Sequence, residues 1–171
     1  GTLNALEFAR KQGNIPFIYA STNKTFSDIV NELPVHEGEK RYSWTQWNPQ
    51  VKEVIRIGMD IDIEGDIKAV NENFPVSGFG KYGHSMYGIS KLAGELYCQE
   101  YHIQYGIPMV INKMSCIFGL FQKGVTDQGW ISAFILAVMR GEPITFYGTG
   151  KQVRDVLDAR DVARLYIDEV E

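Results

Sequence analysis

A tyrosine and a lysine four residues apart, Tyr87 and Lys91, are the side chains whose types and spacing most clearly suggest chemistry. They stand at the head of a segment, 87–105, that is predicted to be a helix, and residues i and i+4 of a helix lie one turn apart on the same face. Phenols ordinarily ionise near pH ~10, but a neighbouring ammonium favours the ionised form. The pair is therefore suited to general acid–base catalysis, with the phenol moving a proton and the ammonium assisting it.

The same spacing also has a purely structural explanation. A tyrosine and a lysine at this separation are common in proteins. An amphipathic helix with a buried tyrosine and a solvated lysine would show them without any catalytic role. The rest of the chain decides between the two interpretations, because a catalytic pair needs further polar groups in the same place.

The overall composition is that of a soluble globular domain, or a piece of one. The chain has 171 residues, of which 44% are hydrophobic and 22% charged, both ordinary for such a domain. Its net charge of −4 disfavours a nucleic acid or an anionic membrane surface as partner. No apolar run approaches the ~20 residues of a membrane span, and no signal-peptide pattern is present. We therefore expect a cytoplasmic protein that binds neither nucleic acid nor membrane.

The cysteines and histidines do not form a metal-binding pattern. Cys98 and Cys116 fall on a predicted helix and a predicted strand, and their separation matches no common ligand spacing. The three histidines, His36, His84 and His102, are also far apart in the sequence. We expect buried, reduced thiols and no metal site.

Segments with helical and strand patterns alternate along the chain. Helices are predicted at 1–12, 87–105, 130–140 and 159–171, and strands at 14–20, 109–114, 144–147 and 153–157. The stretch 27–83 is long and irregular by pattern, and long loops of this kind usually have a function. The alternation of helices and strands predicts an α/β fold with a parallel sheet.

Three separated stretches together resemble a known family. The stretch 21–24 (Ser-Thr-Asn-Lys) follows the first predicted strand, 87–91 opens a helix, and 148–157 contains a Gly-Thr-Gly turn before another strand. This combination resembles the nucleotide-sugar epimerase and dehydratase branch of the extended short-chain dehydrogenase/reductase superfamily. Within the branch, the closer resemblance is to epimerases of CDP-linked sugars. It is carried by three further short stretches: 31–34, 41–42 and 127–130.

The resemblance implies an NAD(P)-binding Rossmann-like fold, a doubly wound parallel sheet, with part of a smaller substrate subdomain. Residues 1–171 would form the central and C-terminal part of the catalytic domain, 27–83 an inserted loop region and 124–158 part of the substrate-binding elements. The resemblance further implies NAD as cofactor and a nucleotide sugar, preferably a CDP-sugar, as substrate. It also implies a homodimer formed through the 87–105 helix.

Roles for the catalytic and cofactor-binding residues follow from the same resemblance. Thr22 would hydrogen-bond the reacting sugar hydroxyl, and Tyr87 would remove the proton of that hydroxyl while also contacting the cofactor. Lys91 would bind the nicotinamide ribose and assist Tyr87, and Ser21 would be a further cofactor contact. Without such a role, the Thr22 hydroxyl would be a strand-end group that satisfies the local backbone.

Five more residues would bind the substrate together with Thr22. Arg154 matches an arginine that contacts the diphosphate, a task suited to the guanidinium fork, and its alternative is an ion pair with Asp155 or Asp161. Asp127 and Gln128 would line the sugar pocket, or would cap the following helix instead. Asn23 and Lys24 stand where the related dehydratases carry an aspartate and a glutamate to eliminate water. The resemblance therefore favours epimerisation over dehydration.

The sequence also departs from the family pattern. No strand–helix junction carries the glycine-rich turn that holds a dinucleotide pyrophosphate, and no acidic ribose ligand follows one. We therefore expect this chain to be a piece of a longer enzyme and to bind NAD poorly by itself. Three functions stay open. They are an NAD-dependent nucleotide-sugar 2-epimerase, another epimerase or reductase of the same superfamily, and a relative that has lost cofactor binding.

Overall fold

The structure is a computed structural model that describes residues 1–46, 58–61, 67–76, 82–125 and 128–171. The helices in this part of the chain are α1 (Thr2–Lys11), α2 (Met86–Tyr105), α3 (Trp130–Arg140) and α4 (Ala159–Asp168). The strands are β1 (Phe17–Thr22), β2 (Val35–Glu37), β3 (Tyr42–Trp44), β4 (Met59–Ile61), β5 (Ile67–Val70), β6 (Met109–Met114), β7 (Cys116–Phe118) and β8 (Val156–Asp158). Two short 3₁₀ helices, Asn23–Thr25 and Asp28–Glu32, follow β1. Within the described ranges, no helix is long and apolar enough to cross a membrane.

These elements form two compact units. The first unit contains residues 1–20, 97–150 and 154–171, and the second contains 21–96 and 151–153. The boundary between the units falls inside β1 and inside α2, so each of these elements contributes residues to both units.

The first unit has its core between α1, the β1–β6 pair and the second half of α2. Leu6 and Cys98 are fully buried and pack with Tyr19. Four half-buried side chains surround them: Phe17, Tyr101, Met109 and Ile111. Each Å² of apolar surface removed from water contributes about 25 cal/mol, so this cluster holds the helices against the strands. In the same unit, β7 and β8 pair in parallel, as an α/β chain requires.

The second unit is built from short antiparallel pairs and turns. β2 pairs with β3 and β4 pairs with β5, both antiparallel. Among the described residues, its core contains the buried apolar side chains of Ile29, Leu33, Met59, Ile67 and Phe74. Phe26 packs edge-on against Phe74, with ring centroids 5.3 Å apart. The core therefore anchors the segment that follows β1, because Phe26 and Ile29 both belong to that segment.

The helices predicted from the sequence are confirmed within a few residues of their bounds, and the strands at 14–20 and 109–114 correspond to β1 and β6. The strand predicted at 144–147 is wrong, since these residues have no regular secondary structure. The ring of Phe146 instead packs against Phe134, with centroids 5.3 Å apart. The described part of 27–83, irregular by pattern, contains four short strands. An apolar run becomes a strand only where another strand is available to pair with it.

Candidate functional site

The end of β1 leads Thr22 into a tight turn. Thr22 is 7% exposed, and its Oγ1 accepts a hydrogen bond from the Lys24 amide at 3.3 Å. Its hydroxyl donates to Asn23 Oδ1 at 3.4 Å, and its carbonyl accepts from the Thr25 hydroxyl at 3.0 Å. A hydroxyl has one donor and two acceptor positions, so one acceptor position is left beyond these contacts. Thr22 therefore supports the local backbone and can still accept a hydrogen bond from a ligand.

A side-chain cap fixes Tyr87 in the first turn of α2. The Ser85 hydroxyl accepts from the Gly88 amide at 3.0 Å, and the Ser85 carbonyl accepts from the Ile89 amide at 2.9 Å. A serine in this position satisfies an amide that has no partner inside the helix. Tyr87 is 54% exposed, so a ligand can reach its phenol.

Gly88 brings the first turn of α2 into backbone contact with the turn after β1. Gly88 is buried, and a methyl group in its place would collide with the carbonyl oxygen of Lys24. Glycine inside a helix is unfavourable by about 1 kcal/mol relative to alanine, and the close approach explains why it stands here. The contact joins the residue after Tyr87 to a residue two positions beyond Thr22. The sequence prediction did not single out Gly88, although a glycine in the first turn of a helix was the available signal.

His84 fastens the segment before α2 to the same turn. Its Nε2 lies 3.1 Å from the Thr25 carbonyl oxygen and 2.8 Å from that of Val76. Carbonyl oxygens only accept hydrogen bonds, so Nε2 carries a proton. The Asp28 amide also donates to the Gly83 carbonyl at 2.9 Å. These bonds hold the start of α2 next to residues 25–28.

A buried pair joins the end of β1 to the middle of α2. The Ser21 hydroxyl donates to Glu95 Oε1, and the two residues are 4% and 5% exposed. Glu95 lies on the same side of α2 as Tyr87 and Lys91, because the three residues follow one another at four-residue intervals. Glu95 was not singled out from the sequence. The expected cofactor contact of Ser21 stays a prediction.

The predicted catalytic set thus lies within one compact unit. Thr22, Tyr87 and Lys91 all belong to the second unit. Lys91 is half-buried, whereas Asn23 and Lys24 are exposed in the turn that follows Thr22. In chemical terms, the second unit thus carries a hydroxyl, a phenol and an ammonium, the groups that the expected proton transfer needs.

The other predicted substrate residues are Asp127, Gln128 and Arg154. Asp127 lies outside the described residues. Gln128 is exposed, and its backbone forms two hydrogen bonds with Val125, at 2.8 and 2.9 Å. Arg154 is exposed and belongs to the first unit. Their assignment to the substrate therefore stays a prediction.

Two aspartates close to Arg154 in the sequence, Asp158 and Asp161, form ion pairs with arginines two and three residues further along the chain. Asp158 accepts from the Arg160 amide at 2.8 Å and from its guanidinium at 2.9 and 2.7 Å. These bonds from Arg160 lower the pKa of Asp158 to about 2. Asp161, which the sequence offered as a partner for Arg154, pairs with Arg164 at 3.5 Å. Both carboxylates thus contribute to the start of α4, where negative charge complements the helix dipole.

The side chains of the second unit fit the ribose end of a dinucleotide. Lys91 offers an ammonium with three donors on the helix face that also carries Tyr87, and such donors suit ribose hydroxyls. Of the strand–helix junctions, the one between β8 and α4 is direct, at Asp158, and has no glycine-rich turn. The described residues therefore include an ammonium suited to a ribose, and at the β8–α4 junction no pyrophosphate cradle of the usual kind. They also contain no group of three metal-ligating side chains.

The fold is shared with a solved nucleotide-sugar enzyme. UDP-glucose 4-epimerase from Thermotoga maritima, solved with UDP-glucose, superposes with a TM-score of 0.60 at 20% identity. The superposition covers 97% of this chain and 41% of that chain. It confirms the α/β, Rossmann-like fold class expected from the sequence.

The chain belongs to the NAD dependent epimerase/dehydratase family, which matches residues 65–168. CDP-paratose 2-epimerase from Salmonella typhi is 33% identical, over 97% of this chain and 44% of that protein. A putative UDP-glucose 4-epimerase from Methanocaldococcus jannaschii is 27% identical, over 96% of this chain and 41% of that protein. The chain thus spans less than half the length of these relatives. The family resemblance inferred from 21–24, 87–91 and 148–157 is confirmed.

Proposed function

We propose that the protein at its natural length is an NAD-dependent nucleotide-sugar epimerase of the CDP-paratose 2-epimerase kind. The backbone contact between Gly88 and Lys24 supports this most directly, because it joins the turn of Thr22 to the first turn of α2. Family membership and the 33% identity to CDP-paratose 2-epimerase support the same reaction class.

In the proposed reaction, Thr22 and Tyr87 act on one sugar hydroxyl. Thr22 turns its hydroxyl proton from Asn23 Oδ1 to the oxygen of that hydroxyl and so orients it, which leaves the sugar's own proton to Tyr87. Tyr87 is the general base that removes the proton and returns it to the oxygen once the opposite configuration has formed. Lys91, one helical turn away, assists Tyr87 and donates to a ribose hydroxyl of the cofactor. NAD, when bound, supplies reversible hydride transfer, and positioned proton transfer of this kind contributes about 10²–10⁴ in rate.

The residues after Thr22 favour epimerisation over dehydration. Elimination of water across two sugar carbons needs an acid to protonate the leaving hydroxyl and a base to remove a carbon-bound proton. Asn23 carries an amide and Lys24 an ammonium, so this pair does not supply a carboxylic acid and a carboxylate. Oxidation at a carbinol carbon, with the hydride passing to NAD and then returning to the other face of the carbonyl, needs no such carboxyl pair beside NAD, Thr22, Tyr87 and Lys91.

The proposed substrate contacts extend beyond the catalytic set. Arg154 would pair with the diphosphate, since a guanidinium fork matches phosphate oxygens. Asp127 and Gln128 would hydrogen-bond sugar hydroxyls. Asn23 and Lys24, exposed beside Thr22, would contact the nucleotide sugar at the reacting end.

We also propose a homodimer formed through α2. Leu96, Tyr97 and Ile103 on this helix are 54%, 48% and 71% exposed, and packing against a second copy would remove this apolar surface from water. Sedimentation of the natural full-length protein tests this. We expect twice the monomer mass, and Ile103→Glu, which places a charge in the interface, shifts the mass to that of the monomer.

The function is tested by product analysis with the natural full-length protein. We expect NAD to be released on denaturation, and proton NMR to show CDP-paratose changing configuration at one carbon. UDP-glucose is the matched alternative substrate, because a putative UDP-glucose 4-epimerase is 27% identical to this chain. Turnover of UDP-glucose alone would assign the protein to that second activity. Turnover of neither sugar in the presence of NAD would contradict the proposal.

A further inference from the structure

Ser21 and Glu95 form a buried pair that takes no part in the proton transfer proposed above. The Ser21 hydroxyl donates to Glu95 Oε1, and the residues are 4% and 5% exposed. A glutamate is almost never buried to this extent unless it is paired, because removal of a carboxylate from water is unfavourable. Throughout the described ranges, every buried side-chain nitrogen and oxygen has a hydrogen-bond partner. The pair is therefore a specific and satisfied contact.

The two partners flank the proposed catalytic side chains on both elements. Ser21 directly precedes Thr22 on β1, and Glu95 follows Lys91 by one turn of α2. The strand end and the helix also touch at Gly88 and Lys24. Glu95 is seven positions after Gly88, so the two contact points lie about 10 Å apart along the helix axis. Two contacts at this separation fix both the register of the helix against the strand end and the angle between them. A single contact would leave the register and the angle free.

We propose that Ser21 and Glu95 are positioning residues that hold Thr22 in register with Tyr87 and Lys91. The inference rests on the proposed epimerase function. The pair acts through the backbone, because its buried atoms bond to each other while the accessible phenol lies two turns away. A displacement of about 1 Å between reacting groups lowers a rate by about 10²-fold. Loss of the pair should therefore lower kcat and leave KM and NAD affinity close to their original values.

A cofactor contact is the competing role for Ser21. In that role its hydroxyl would bond to NAD, and Ser21→Ala would weaken NAD binding rather than lower kcat. The second competing explanation is that the pair of Ser21 and Glu95 has a merely structural role. In that case the loss of any buried hydroxyl of the second unit should have the same consequence as the loss of this one.

The test uses four single variants of the natural full-length protein and the double variant Ser21→Ala/Glu95→Met. Ser21→Ala removes the donor, and Glu95→Met removes the acceptor while keeping a similar side-chain volume. Glu95→Gln keeps an oxygen that accepts from Ser21, so it should recover most of the kcat that Glu95→Met loses. Ser27→Ala is the matched control, since Ser27 is also fully buried, and its hydroxyl accepts from the Ile29 amide at 3.4 Å.

We expect Ser21→Ala and Glu95→Met each to lower kcat by about 10- to 100-fold. The double variant should lose no more than the worse single one, because both remove the same bond. KM and the NAD dissociation constant should change by less than about threefold. Equal kcat losses in Ser21→Ala and Ser27→Ala would overturn the proposal. So would a tenfold weaker NAD affinity with unchanged kcat, which would assign Ser21 to the cofactor.

A measurement without substrate separates this proposal from the proposed function. Amide hydrogen exchange of the peptide 19–28 reports on the turn in which the Lys24 amide bonds to Thr22 Oγ1. We expect exchange at Lys24 to be at least about tenfold faster in Ser21→Ala and unchanged in Ser27→Ala. If the wild type turned over no nucleotide sugar, the function would fail and this exchange would still decide the role of the pair. Unchanged exchange in Ser21→Ala would overturn it.

Discussion

The residues proposed for the chemistry and those proposed for substrate recognition differ in how they are held. Ser21 and Thr22 are 4% and 7% exposed and are bonded to α2 and to a tight turn, whereas Gln128 and Arg154 are exposed. Exposed loop positions are the ones that commonly carry specificity on a rigid scaffold. Substitutions in the first group should therefore lower kcat, and those in the second should raise KM.

Tyr87→Phe should have the largest effect, because it removes the group that moves the proton. We expect kcat to fall by about 10²–10⁴ with NAD affinity nearly unchanged, since the phenol need not hold the dinucleotide. Tyr97→Phe, at a 48% exposed position on the same helix, is the control and should leave kcat as it is. A Tyr87→Phe enzyme that keeps more than about a tenth of its activity would remove Tyr87 from the mechanism.

Gly88→Ala should come next, because its methyl group has to displace the carbonyl of Lys24. We expect a kcat loss of about 10²-fold, as the turn of Thr22 and the first turn of α2 are pushed apart. Gly106→Ala is the control. Gly106 has a φ of +68° and open space around it, so the substitution strains the backbone without touching the site. Steady-state kinetics with thermal melts separate the two, and equal kcat losses would refute the close-contact argument.

Arg154→Ala should change KM instead of kcat. Hydrogen bonds to charged groups contribute about 1.5–3 kcal/mol, so loss of a diphosphate contact should raise KM by about 10- to 100-fold. Arg164→Ala, on exposed α4, is the matched control. A fall in kcat with unchanged KM would contradict the proposed division between rigid catalytic residues and exposed substrate contacts.

The smallest effect should be a change in acid stability that leaves both kinetic constants unaltered. Glu7 accepts from Arg10 at 3.0 and 3.1 Å and from the Tyr101 hydroxyl at 2.7 Å. These bonds, that from Arg10 first, lower the pKa of Glu7 from 4.5 to about 2. A lowered pKa contributes stability above the unfolded value that is lost as the pH falls toward the folded one.

The melting temperature of Glu7→Gln should therefore fall less steeply than that of the wild type as the pH is lowered from 4.5 to about 2. Thermal melts across this range check the expectation, with Glu100→Gln on α2 as the control. Parallel melting curves for the wild type and Glu7→Gln would show that this group does not contribute to acid stability.

Local signals made much of this structure predictable. The four helices of the described residues follow from apolar periodicity and glycine stops, and the placement of Tyr87 and Lys91 on one helix face follows from helical geometry alone. The strand predicted at 144–147 failed, because its residues have strand-forming types but no strand partner. A local sequence pattern indicates which secondary structure a segment prefers, but it does not indicate whether another strand is available to pair with it.

The contacts that organise the candidate site were beyond such signals. Ser21 and Glu95 are 74 positions apart in the sequence, and neither residue type predicts a contact with the other. Gly88 was visible as an unusual helix residue, but its contact with Lys24 depends on how the turn after β1 folds. Thr22 was found through family resemblance, since its hydroxyl alone is equally suited to the local backbone role that it also has here.

The joint action of Thr22 and Tyr87 on one sugar hydroxyl is tested most directly by a double-mutant cycle. The kcat for epimerisation would be measured by NMR for the wild type, Thr22→Val, Tyr87→Phe and the double variant of the natural full-length protein. Groups that act as a unit give non-additive losses. We predict that the double variant loses no more than about threefold beyond Tyr87→Phe alone. Losses that multiply, or a Thr22→Val enzyme with full activity, would contradict the joint role.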